Sequence, residues 1–362
     1  MKEVIKKEVK GLLTLRTSNR PWMIPFLAAI CIGAPLLAGL YLGDLQSGLF
    51  ACLSAMVILY LPAKAPVAVK MVTLLTCAFG FLFSFAVGLL FSFNPWVAAI
   101  VLGIFATFVH WVNLYFATPP PGSFFFVMIA AMTLTFPYEA KLIPHKLGLM
   151  ALGTIFTCTL GFIYSLVAAR KLPARQDHHI TTPLRKNSQV NLIEAAIHGL
   201  FLFGALAIGY LAEMENPYWV PISCAAVMQG ASRYHIWQRS FHRILGTFVG
   251  VGLCWMLLQI ITTPLEMVLA IILLQFIIEM LITRQYALAV IFITPLTVFL
   301  AEIGVPMASD SSPLISIRLW DIVLGSVIGA IGGWVLHHEK LRKHTLRQLE
   351  PTGSLNTKNQ SS

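Results

Sequence analysis

Charge is scarce in this sequence. Asp, Glu, Lys and Arg make up 11% of its 362 residues, against roughly a quarter in a soluble domain. That shortage, with 57% hydrophobic residues and a mean hydropathy of +0.79, excludes an ordinary soluble fold. Acid is the scarcer sign, with 15 Asp and Glu against 25 Lys and Arg and a net charge of +10. No basic soluble domain carries the excess, so nucleic-acid binding is not expected. The six cysteines (Cys31, Cys52, Cys77, Cys158, Cys224 and Cys254) lie in apolar runs without a CxxC pair. Neither a disulfide framework nor a zinc site is expected of them. HExxH, GxSxG and P-loop patterns are also missing, which argues against an enzyme or an ATP-driven pump within the chain. The polar-loop pairs His178–His179 and His337–His338 have no carboxylate or thiol at useful spacing, and no metal or cofactor is expected.

What the sequence has instead is long apolar runs. In lipid only helices or closed barrels satisfy every backbone hydrogen bond. Barrel strands alternate in polarity over about ten residues, whereas these runs are continuously apolar. Twelve spans are predicted: Trp22–Leu42, Gly48–Leu61, Met71–Phe91, Pro95–Ala117, Ser123–Phe136, Leu147–Ala169, Leu192–Ala212, Tyr218–Gln229, Ile244–Ile261, Leu265–Ile282, Ala287–Ala301 and Leu319–Leu336. The second, fifth, eighth and eleventh fall short of the roughly twenty residues of an untilted crossing, and are expected to be broken, tilted or partly re-entrant. The fold expected is an all-α integral membrane protein of about twelve transmembrane helices.

Basic residues collect in alternate loops, as they do on the cytoplasmic side of a membrane. Lys2 to Arg20, Lys64 and Lys70, Arg170 to Lys186, Arg233 to Arg243, Arg284 and Lys340 to Arg347 form one set. Asp44, Glu139, Glu213, Glu215, Glu266, Glu302 and Asp310 form the other, with Lys141, Lys146 and Arg318 as exceptions. Both termini are therefore placed inside (N-in/C-in). A slide of about 172 residues brings Cys52 and Met56 onto Cys224 and Met228, Gly80 onto Gly252, Leu152–Gly153 onto Leu324–Gly325, and Gly161 onto Gly333. Two parallel six-helix repeats follow, related by an axis along the membrane normal. The division is a basic N-terminus (1–21), a first repeat (22–169), a basic linker (170–190), a second repeat (191–337) and a basic, partly disordered tail (338–362).

Candidate functional residues gather in the second repeat. Arg239 and Arg243 are four apart and share a helix face at the predicted cytoplasmic mouth of span nine. Two guanidiniums there attract organic anions and can bind a carboxylate. The same pair satisfies the positive-inside rule and can hold lipid headgroups, and the sequence leaves both readings open. Arg284 adds a third cation. Thr294–Pro295 lies in span eleven, where proline removes a backbone donor and can kink or break the helix beside a substrate path. Thr118-Pro-Pro-Pro-Gly122 is the first half's own breaker cluster. Ionisable or polar groups at membrane depth are candidates for coupling or structural pairing: Glu279, near Arg284 in sequence; Arg318 with Asp321; Glu194 with His198; and His110 with Asn113. Gly246 and Gly250, like Gly325, Gly329 and Gly333, form small-residue faces that let helix backbones approach, and packing is their reading.

The order Tyr218-Trp219, Arg239-xxx-Arg243-xx-Gly246-Thr247-xx-Gly250, Arg284-xx-Ala287, Thr294-Pro295 and Arg318-xx-Asp321-xxx-Gly325 resembles the fusaric-acid-resistance-like (FUSC) and aromatic acid exporter family. The first half looks like a degenerate copy, with Val67, Met71 and Val112 in the places of Arg239, Arg243 and Arg284. The resemblance implies an efflux protein of the bacterial cytoplasmic (inner) membrane, for aromatic or other small organic acids or toxic anions, with the proton gradient as a candidate drive. The partners it implies are the lipid bilayer and the anion, with room for a second copy of the chain or an accessory export component. An organic-anion channel and a non-transporting scaffold or assembly protein are the alternatives.

Overall fold

The computed structural model describes residues 20–62, 65–171, 188–230, 232–302 and 312–337; side chains are described for these except at 171, 188–190, 302 and 312–318. The basic segment before Arg20, the linker centre, Asp310 and the tail beyond His337 lie outside the described residues.

Within them the chain is helical, with twelve α-helices in order: α1 (Met23–Leu42), α2 (Leu45–Cys52), α3 (Val67–Phe91), α4 (Pro95–Phe116), α5 (Phe124–Leu134), α6 (Ile143–Lys171), α7 (Ser188–Leu211), α8 (Trp219–Met228), α9 (Arg233–Leu258), α10 (Pro264–Leu281), α11 (Tyr286–Glu302) and α12 (Ser312–Leu336). A 3₁₀ segment, Leu53–Tyr60, extends α2. Eight helices among the described residues are long and apolar enough to cross a bilayer. The four shorter apolar segments are α2 with its 3₁₀ extension, α5, α8 and α11, the same four spans that the sequence marks as short.

Helix ends are set by local chemistry. Asn94 accepts hydrogen bonds from the Trp96 and Val97 amides, and Pro95 occupies the first helical position of α4, where a missing N–H costs nothing. Thr263 and Glu266 form a reciprocal capping box at the start of α10, again with proline (Pro264) first. Asp44 caps α2 through the Ser47 amide, and Ser232 caps α9 through the His235 amide. Gly43 ends α1 with φ of 74°, the left-handed region that glycine enters without strain.

The packing interlocks the two halves of the chain. In the first half α3 packs on α5 and α6; in the second, α9 packs on α11 and α12. Across the halves, α4 packs on α7 and α10 packs on α1. One buried core joins α4 and α5 to α7 and α8, through Leu102, Phe105, Leu134, Leu202, Leu206 and Trp219. A larger one joins α1 and α3 to α10 and α11, through Leu36, Phe81, Phe85, Ile271 and Phe299. Lys146, an exception to the charge pattern of the loops, is neutralised locally: its Nζ lies 3.1 Å from Glu139 Oε2.

Candidate functional site

Helix α9 begins at Arg233, eleven residues before the span predicted from Ile244. Ser232 starts it, and a rise of about 1.5 Å per residue puts Arg243 about 15 Å along its axis. Arg239 and Arg243 are therefore inside the helix and not in a loop at its mouth. The helix is inverted relative to a soluble one. Tyr234, Trp237, Phe241, Phe248 and Trp255 are exposed, while Ser240, His242, Arg243, Gly246, Thr247 and Gly250 are buried. Lipid solvates the aromatic face, and the polar face turns towards neighbouring helices.

Arg243 is 6% exposed. Its Nη1 donates to Tyr286 Oη at 3.2 Å and its Nη2 to Ser223 Oγ at 3.1 Å. Arg239 lays its guanidinium over the Tyr286 ring, with Cζ 4.6 Å from the centroid, and its Nη2 donates to Gln229 Oε1 at 3.2 Å. The cluster thus draws on α8 (Ser223 and the flanking Gln229), α9 and the first residue of α11 (Tyr286). Among the described residues every partner of the two guanidiniums is neutral, and each Nε is buried without a hydrogen bond. Two cations thus share a site that holds no carboxylate among the described residues. Gln229 also reaches the first half, its Nε2 donating to the Pro121 carbonyl at 3.5 Å.

Small residues bring these helices together. Gly246 faces Ala287 and Val290 of α11, and Gly250 faces Ile291 and Thr294. Gly325 and Gly329 of α12 face Val220, Ser223 and Cys224 of α8, and Gly333 faces Ile236 of α9. A side chain at any of these glycines would push into its neighbour. Thr247 is buried on the same face of α9, and its hydroxyl has no partner among the described residues.

Helix α11 runs through Pro295 without a break. Proline leaves the Ile291 carbonyl without its helical donor, and that carbonyl lies against Gly250. The Thr294 hydroxyl donates to the Val290 carbonyl at 3.1 Å, within its own helix. The pair therefore packs α11 on α9. Arg284 is half-buried in the turn between α10 and α11, and its side chain joins no hydrogen bond or ion pair among the described residues.

The remaining candidates fall elsewhere. Glu279 pairs with Arg20, Nη1 to Oε2 at 2.8 Å, and accepts from Gln275 at 3.3 Å; its partner is not Arg284. His110 stacks on His198, and Asn113 accepts a hydrogen bond from the Thr118 hydroxyl. Asp321 is buried at 1% exposure, while the Arg318 side chain lies outside the described residues.

Sequence reading did not single out Ser223, Gln229 or Tyr286. All three sit inside the motif stretches, but no spacing along one helix joins residues on α8, α9 and α11. His198 was visible only beside Glu194, and no hydrogen bond joins that pair in the structure.

Residues 204–332 match the family model described as Fusaric acid resistance protein-like. The uncharacterized membrane protein YvaC of Bacillus subtilis (strain 168) is 34% identical over 145 residues, a match covering 40% of this chain and 23% of that protein. The chain thus spans about a quarter of that relative's length. No solved structure matches. The matched stretch holds Arg239, Arg243 and Tyr286.

Proposed function

We propose that this multi-pass membrane protein is a secondary transporter that exports small organic anions, with Arg239 and Arg243 as its anion site. The observation that carries the reading is Arg243. It is 6% exposed, bonded to two neutral hydroxyls and without an acidic partner among the described residues. A buried cation is costly when unpaired, and at membrane depth it marks a ligand path more often than a strut. A carboxylate entering the cluster would supply the missing charge. Tyr286 would offer its ring edge and hydroxyl, and Ser223 a second hydroxyl, so a planar acid of modest size suits the site.

The architecture proposed is twelve helices in two parallel six-helix repeats with both termini inside. The recurrence of packing partners, α3 with α5 and α6 and α9 with α11 and α12, supports it. So does the reciprocal pairing of α4 with α7 and α10 with α1. The bacterial inner membrane is the proposed location, since lipid-facing helices and the basic-loop pattern suit it. Alternating access would then rock one repeat against the other beside the site, where Gln229 of the second repeat meets Pro121 of the first.

The test is export of benzoate from cells expressing wild-type or Arg243→Ala protein at equal abundance. The reading expects export that the substitution abolishes. Equal export from both refutes the arginine site. Flux in proteoliposomes that follows the benzoate gradient alone, whatever the pH gradient, would mean a channel.

A further inference from the structure

A second polar site lies at the seam between α4 and α7. Gly103 of α4 faces Phe203 and Gly199 of α7, and Gly199 faces Thr107, so the two backbones nearly touch. Just beyond, the rings of His110 and His198 stack with centroids 4.2 Å apart and planes at 19°. His198 is 4% exposed. Nδ1 of His110 lies 3.1 Å from the hydroxyl of Ser123, which precedes α5. Helix α4 is packed by α7, α5 and α3, and α7 by α4, α8 and α12. The charged or titratable side chains described on these elements are Glu194 and Tyr210 on α7, Tyr115 on α4, Lys70 and Cys77 on α3, Cys224 on α8 and Asp321 on α12. Among the described residues no hydrogen bond or ion pair joins Glu194, Tyr210, Tyr115, Lys70, Cys77 or Cys224 to either imidazole.

Two stacked imidazoles with no carboxylate paired to them among the described residues resist carrying two charges, because burial and mutual repulsion oppose the second proton. The pair holds one proton or none. Its place in the fold is also particular. His110 lies fifteen residues after Pro95, and Glu279 lies fifteen after Pro264, the prolines that open α4 and α10. Both side chains reach across the halves, Glu279 to Arg20 and His110 to His198. One seam is closed by an ion pair, and the other by a pair whose charge can change.

A protonated imidazole donates from both nitrogens. Ser123 Oγ must then accept, and its own proton must turn to another partner. Ser123 ends the loop that begins at Thr118, and the loop is held from three sides. Asn113 accepts from the Thr118 hydroxyl, Tyr60 donates to the Gly122 carbonyl at 2.7 Å, and Gln229 donates to the Pro121 carbonyl. The other end of Gln229 accepts from Arg239. A continuous set of contacts thus joins His110 to the arginine cluster.

We propose that His110 and His198 form a site for one exchangeable proton, coupled through the 118–123 loop and Gln229 to anion binding at Arg239 and Arg243. The proton is taken from water and returned to it, forming and breaking a single N–H bond. The coupling rests on the anion reading above; the proton site does not.

The test uses the full chain in lipid nanodiscs with isotope-labelled histidine, the two rings being assigned with His110→Gln and His198→Gln. Between about pH 4 and pH 9, the two signals of the wild type should move together in one step amounting to a single proton. In either variant the remaining ring should titrate at a different pH. Two independent one-proton steps, or no movement of either ring, overturn the proton site. Benzoate is the probe for coupling. It should displace the shared step by about 0.3 pH unit or more, a twofold change in proton affinity, in the wild type but not in Gln229→Leu or Arg243→Gln. An unmoved step while calorimetry registers benzoate binding overturns the coupling. Absence of benzoate binding to the wild type overturns the arginine reading and the coupling with it, while the one-proton step is still judged on its own signals.

Discussion

Replacing Arg243 with methionine separates an arginine that binds cargo from one that holds the fold together. The substitution removes two hydrogen bonds from a charged donor, to Tyr286 and Ser223. Such bonds contribute about 1.5–3 kcal/mol each. Against that loss, it removes the several kcal/mol that an unpaired buried cation costs. It strands no carboxylate, because the arginine has no acidic partner among the described residues. The two terms nearly cancel, so the change in stability should lie within about 2 kcal/mol of zero. Anion affinity has no such compensation. Losing a charge-assisted pair worth about 3 kcal/mol weakens binding about a hundredfold. The buried thiols of Cys31, Cys52, Cys77 and Cys224 allow melting to be followed with a thiol-reactive dye. Calorimetry with benzoate gives the affinity. A large fall in melting temperature with unchanged affinity would refute the reasoning and make Arg243 a structural residue.

Gly250 and Gly252 are two residues apart on α9 but differ in surroundings. A methyl at Gly250 would meet Ile291 and Thr294, whereas nothing lies within 4 Å of one at Gly252. Gly250→Ala should therefore cost about 1–3 kcal/mol in the same melting assay, while Gly252→Ala should be neutral or stabilising by up to about 1 kcal/mol. Glu279→Gln breaks the ion pair with Arg20, which is 21% exposed. The cost should be about 1–3 kcal/mol, below that of a fully buried pair because water screens the arginine, and a melt unchanged by the substitution would contradict the pairing. Hydrogen bonds from the Ser47 hydroxyl and amide hold the Asp44 carboxyl below its usual range. Its contribution to stability is thus present above about pH 4 and lost as the pH falls further. Asp44→Ala should cost about 1 kcal/mol near neutrality, and its difference from wild type should shrink in acid.

The bilayer made most of the fold readable. Lipid demands long apolar runs and leaves charge to the loops, so the positions of all twelve helices could be placed, including the four that are too short to cross alone. The start of α9 was hidden by the same rule. Arg233, Arg239, His242 and Arg243 lower its average hydropathy, yet its outward face is Tyr234, Trp237, Phe241 and Phe248. A helix with a polar interior and an aromatic exterior reads as a loop when averaged along the sequence. The small-residue faces at Gly246, Gly250, Gly325 and Gly329 were legible because their spacing lies within one helix, and the structure sets each against a neighbouring helix. Thr294–Pro295 read as a break, but Gly250 gives the freed carbonyl's edge room, and α11 stays helical. Contacts between distant helices left no trace in spacing. Arg20 and Glu279 are 259 residues apart, and proximity in sequence pointed Glu279 to Arg284 instead.

The comparison of halves explains why the arginine cluster occurs once. At an offset of 172 residues, Val67 and Met71 of α3 stand where α9 carries Arg239 and Arg243. Neither can hold an anion. The buried cation on α3 is Lys70, one position away, and its ammonium lies 5.9 Å from the centre of the Tyr164 ring on α6. A lysine over an aromatic face is a compact charge already partnered by the ring, whereas Arg239 and Arg243 keep unbonded Nε–H groups beside two hydroxyls. The second half thus keeps directed donors at Arg239 and Arg243, and the first half meets the cluster where Gln229 donates to the Pro121 carbonyl. On the proposed reading one half binds the anion and the other braces it, and the asymmetry has a reason: a second arginine pair, buried without a counter-ion, would add the same desolvation cost again without a second route for the anion.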